Sequence, residues 1–96
     1  MNNKAIIEEV GRLFGVTLDM ICSKSRKRTT ATARAVVCYI LHRQMGVSST
    51  KVARTLTCTH ATILYHCRMV ETWMQNPRYN AEAVSAVLKV RNNHDL

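Results

Sequence analysis

The chain has 96 residues, a formal net charge of +8 and a pI near 9.9; that length suits one domain, residues 1–96, able to bury a core without staples. It is too short for an ATPase domain and carries no G-x-x-x-x-G-K-[ST], which argues against a bound nucleotide, and no apolar run approaches the ~20 residues of a membrane span. Cys22, Cys38, Cys58 and Cys67 form no C-x-x-C pair and follow no secretory signal, so reduced thiols in an intracellular protein are expected.

From Asn3 to Phe14, Ile6, Ile7, Val10, Leu13 and Phe14 recur at helical spacing, and Gly15 stands where a helix-ending glycine belongs. Thr17 is placed to cap a short turn of helix that points Leu18 and Ile21 inward.

A basic block then begins. Between Met20 and Val70 lie Lys24, Arg26, Lys27, Arg28, Arg34, Arg43, Lys51, Arg54 and Arg68 with no acidic residue, while the rest of the chain nets to −1. Such a segregated charge suits nucleic acid, an anionic membrane face or an acidic protein partner. The stretch Ser23-Lys24-Ser25-Arg26-Lys27-Arg28-Thr29-Thr30 has no apolar residue and reads as a solvated loop. It is either a wet connection or, beside a helix-turn-helix, a set of phosphate and minor-groove contacts.

Thr30 to Met45 is the longest periodic segment and should form the central helix, with Ala33, Val37, Ile40, Leu41 and Gln44 in one stripe. Arg34 stands at the stripe's edge near the basic loop, where a long side chain can pack its stem and reach a phosphate. Gly46 closes this helix, and Ser48 or Ser49 opens the next. Ser49, Thr50 and Lys51 occupy its first turn, where the lysine opposes the helix dipole and a DNA phosphate would relieve the cost.

After a tight turn at Thr57-Cys58, the residues Ile63, Cys67, Val70 and Met74 keep a buried stripe. The other side presents Ala61, Tyr65, Arg68 and Thr72, with Thr62 nearby: small and polar residues early, where base edges would lie, and a cation later. Two short helices around a tight turn make a helix-turn-helix and predict double-stranded DNA as the partner. Pro77 ends this helix, and Asn80 can cap a last one packing through Val84, Val87 and Leu88; beyond Arg91 the polar tail should fray.

Cys58, His60, His66 and Cys67 together contain a zinc-ligand set. On a helix, however, Cys67 belongs to the buried stripe and His66 points elsewhere, so no metal, cofactor or catalytic pair is expected. By periodicity His60 suits an interior position or a base contact equally, and Tyr65 a rim position or a phosphate contact.

Met20 to Val70 resembles the C-terminal DNA-binding domain of the bacterial replication initiator DnaA, and more weakly so does most of the chain. The resemblance rests on Ser23-Lys24-Ser25-Arg26-Lys27-Arg28, on Arg34, and on Thr59-His60-Ala61-Thr62-Ile63-Leu64-Tyr65-His66-Cys67-Arg68, against a family signature ending D-H-T-T-V-x-x-A-C-R-K-I. It implies an all-α, Trp-repressor-like domain of about five to six helices, with the basic loop in the minor groove and the helix-turn-helix in the major groove. By the same resemblance Arg26 is a minor-groove arginine, Arg34 a phosphate contact, and His60 and Thr62 two members of a base-reading quartet whose aspartate and first threonine are here Thr59 and Ala61. A cytoplasmic, nucleoid-associated accessory or regulator of replication or transcription follows, with a replication initiator or other replication protein as a further partner. A module whose basic face docks an acidic protein is the alternative.

Overall fold

The computed structural model describes residues 2–95. Helix α1 (Asn3–Phe14) starts where the Asn2 side chain accepts the Lys4 N–H, and it ends at Gly15, whose φ of 70° only glycine adopts without cost. It buries Ile6, Ile7, Val10 and Phe14, while Leu13, expected inward, is 38% exposed. Thr17 caps the single-turn α2 (Leu18–Ile21) by accepting the Met20 N–H, and Ile21 is fully buried.

Helix α3 (Arg28–Cys38) begins two residues before the expected Thr30 and lies at the centre, with Thr30 and every residue from Ala33 to Cys38 buried. It runs on as a π-helical turn, Tyr39–Gln44, where Met45 N–H bonds the Ile40 carbonyl five residues back. That extra residue in the turn brings Met45 below Ile40, where simple helical spacing would have set Gln44.

Helix α4 (Ser49–Leu56) is capped by Ser48, which accepts the Lys51 N–H, and buries Val52, Ala53 and Leu56. The chain turns at Thr57, held in the left-handed region at φ 57°, and Thr59 caps α5 (His60–Gln75) by accepting the Thr62 N–H. These two helices and their turn are the helix-turn-helix. A 3₁₀ turn at Pro77–Tyr79 leads to α6 (Ala81–His94), capped by Asn80.

Two expectations at the end of the chain are corrected. Leu88 is 46% exposed, whereas Val84 and Val87 are buried as expected, together with Ala83, Ala86 and Val90. The segment beyond Arg91 does not fray but stays helical to His94, because Asn93 and His94 donate to the two carboxylate oxygens of Glu9 on α1, at 2.9 and 2.6 Å. The fold is all-α, and one hydrophobic cluster draws on every α-helix.

Candidate nucleic-acid interface

The basic loop between α2 and α3 is held from within. Ser23 Oγ donates to the Met20 carbonyl and accepts the Ser25 N–H, and Ser25 Oγ accepts the Lys27 N–H. Beneath this ladder lies Arg34, only 8% exposed. Its Nε donates to the Ile21 carbonyl at 2.8 Å, one terminal nitrogen to Ser25 at 3.1 Å, and the other to Ser23 at 2.7 Å and Met20 at 3.3 Å.

The surface placement expected of Arg34 is therefore corrected. Four of the five N–H groups of a guanidinium are taken by main-chain carbonyls, and the side chain ties α2 and the loop onto α3. No carboxylate is needed, because the loop folds its own carbonyl oxygens around the charge. Lys24, Arg26, Lys27 and Arg28 are all exposed. Lys24 and Arg26 turn toward the helix-turn-helix, whereas Arg28, in the first turn of α3, borders a separate hollow with Asn80 and Glu82.

On the helix-turn-helix, the first turns of α4 and α5 are joined by a hydrogen bond between Ser49 Oγ and His60 Nδ1. His60 is an exposed side chain held by its neighbour, not an interior histidine, and the bond leaves Nε2 as the ring nitrogen facing outward. Thr50 and Lys51 are exposed beside it, and Ala61, Tyr65 and Arg68 line one exposed face of α5, with Tyr65 62% exposed. Thr59 and Thr62 are engaged with each other: Thr59 Oγ1 caps the Thr62 N–H and lies 2.9 Å from Thr62 Oγ1.

Loop and helix-turn-helix meet at a cleft of about 480 Å³. Lys24 and Arg26 stand on one side, Thr59 and Thr62 on the other, and Arg34 and His66 at the base; among the described residues no carboxylate lines it. His66 was not among the expected site residues. It is 9% exposed, and its Nδ1 is buried without a partner. Burial, and then the Arg34 charge, hold its imidazole below the ordinary pKa, so the ring is neutral near pH 7. The signal in the sequence was a histidine one residue from the buried stripe, at a position where the signature has alanine.

The remaining thiols and histidines do not converge. Among the described residues no three His, Cys, Asp or Glu side chains gather as a metal site would require. Cys67 points its Sγ at the Cys38 carbonyl, and burial pushes its pKa up to about 11. No described helix is long and apolar enough to cross a membrane.

The chain is similar in sequence to known proteins. Residues 3–70 match the family described as bacterial dnaA protein helix-turn-helix. The chromosomal replication initiator protein DnaA of Pseudothermotoga lettingae is 35% identical over 75 residues, which is 73% of this chain and 17% of that protein. The DnaA of Porphyromonas gingivalis is 32% identical over 73 residues, 75% of this chain and 15% of that one. DnaA 2 of Chlamydia pneumoniae is 27% identical over 73 residues, 76% of this chain and 16% of its own length. The chain thus spans about a sixth of the relatives it matches.

Proposed function

This chain belongs to the family of bacterial DnaA helix-turn-helix domains, a DNA-binding family, and from that premise we propose that it grips duplex DNA across two adjacent grooves. The basic loop, led by Arg26, enters the minor groove, and the first turn of α5 enters the major groove. The observation that carries this reading is the cleft itself: loop and α5 flank one cation-lined trough free of carboxylates.

Within that reading, Lys24, Lys27, Lys51 and Arg68 contact phosphates, with Ser49 and Thr50 beside them, and His60 and Ala61 face base edges. The Ser49 bond keeps the His60 ring from swinging, and Ala61 offers a methyl to a thymine. Thr59 has its hydroxyl engaged at the helix cap, so it reads bases less well than an aspartate would. The proposed result is firm DNA binding with weakened preference for an initiator-type box. The protein then serves as an accessory to, or regulator or competitor of, replication or transcription at the nucleoid.

Salt titration on a duplex is the test. With Lys24, Arg26, Lys27, Lys51 and Arg68 on phosphates or in the minor groove, log Kobs against log salt should fall with a slope of about −4. A flat response, with tight binding to an acidic protein instead, would replace this reading with a protein-docking one.

A further inference from the structure

A protein that reaches into neighbouring minor and major grooves must straddle the one sugar–phosphate strand that separates them. The cleft between the loop and α5 lies between the two elements assigned to those grooves, so the inference rests on the reading above.

His66 reaches the cleft while nine-tenths buried. Its Nδ1 has no partner and no access to water. Orphaned buried N–H groups are rarer in folded proteins than under-satisfied buried acceptors, so a bare lone pair suits the partnerless Nδ1 better than a proton does. The proton of the neutral ring therefore belongs on Nε2, the nitrogen left to meet whatever enters the cleft. A second donor stands opposite. Thr59 and Thr62 have two hydroxyl hydrogens between them, and their mutual bond uses one, so the other is free. Lys24 and Arg26 supply positive charge at the rim.

We propose that this cleft is a seat for a backbone phosphate of the strand between the grooves, with His66 Nε2–H and the spare threonine hydroxyl as its donors. Alanine, the signature residue at this position, has no polar atom to offer. His66 is thus a DNA contact particular to this chain.

The test uses a duplex the chain binds, taken by selection from a random pool, with one phosphate at a time replaced by neutral methylphosphonate. The unmodified chain should lose roughly tenfold in affinity at one or two adjacent positions on the intervening strand. His66→Ala should bind the unmodified duplex about tenfold more weakly and lose much less at those positions; His66→Gln, which retains an N–H near Nε2, should recover part of the affinity. Losses in His66→Ala that match the unmodified chain position for position would overturn the assignment.

Ring-nitrogen NMR of the unmodified chain gives a readout independent of any variant's folding: an Nε2–H tautomer whose signal moves on binding duplex supports the seat, and an Nδ1–H tautomer sinks it. Inorganic phosphate alone separates the sources of the anion. A His66 shift at millimolar phosphate equal to that seen with duplex would assign the cleft to free phosphate and overturn its assignment to the strand. A chain that binds no duplex at all removes the proposed function and this inference with it, whereas duplex binding indifferent to His66 removes only the inference.

Discussion

Arg34→Lys separates a structural arginine from a phosphate-binding one, because it keeps the charge and removes the fork. Arg34 makes four hydrogen bonds, to the carbonyls of Met20, Ile21, Ser23 and Ser25. Hydrogen bonds from a charged donor contribute roughly 1.5–3 kcal/mol each, and they do not add when partners share one side chain. The bond to Ile21 is buried and has no replacement; the other three are half-open, so their carbonyls recover part of the energy from water. Counting Ile21 fully and the rest in part, Arg34→Ala should cost about 3–5 kcal/mol. Lysine, a single tetrahedral ammonium, cannot span carbonyls spread around the guanidinium plane, so Arg34→Lys should still cost about 2–3 kcal/mol. For a domain of this size that lowers the melting temperature by roughly 10–20 °C. Thermal and urea unfolding followed by circular dichroism measure both variants. An Arg34→Lys protein within about 0.5 kcal/mol of the parent would show that charge, not the carbonyl cage, is what Arg34 supplies.

Other residues give further expectations. Thr57 holds a left-handed φ of 57° that a β-branched residue adopts only with strain, so Thr57→Gly should stabilise the helix-turn-helix by about 0.5–1 kcal/mol, and a lower melting temperature would refute the strain. Burial raises the Glu9 carboxyl, but hydrogen bonds from Asn93 and His94, with the charges of His94 and Arg12, outweigh it and hold its pKa below 4.5. A carboxyl depressed on folding stabilises above its unfolded pKa and loses that contribution as pH falls through the folded one. Stability should therefore decline below about pH 4.5, with a flatter acid limb in Glu9→Gln; identical limbs would deny the clasp its role. Thr59→Asp with Ala61→Thr should recover part of the preference for an initiator-type box, at ~1–3 kcal/mol per restored base contact. An unchanged ratio of box to scrambled binding would show that these positions do not read bases.

Which features were legible from the sequence follows from the distance over which each is determined. Caps and stops depend on neighbours a few residues away, so Gly15, Thr17, Gly46 and Asn80 could be placed by inspection. The role of Arg34 could not, since its partners lie nine to fourteen residues earlier and are main-chain atoms with no side-chain signature. In the sequence, a basic residue close to a basic loop reads as one more phosphate arm. The Glu9 clasp joins residues 84 and 85 positions apart, so in the sequence the polar tail has no local reason to stay helical and reads as frayed. The π turn after Cys38 left no mark beyond a misplaced Gln44, whose Oε1 is buried without a partner. By angle alone His66 reads as pointing away from the buried stripe; it is 9% exposed with Arg34 of α3 nearby, a tertiary arrangement that periodicity along one helix cannot report.

Dimethyl sulfate interference on a selected duplex tests the two-groove account most directly, because the reagent marks guanine N7 in the major groove and adenine N3 in the minor groove in one experiment. The account predicts a patch of N7 interference for the first turn of α5 and a neighbouring patch of N3 interference for Arg26, with only the second lost in Arg26→Ala. Interference confined to one groove, or two patches that weaken together in Arg26→Ala, would contradict it.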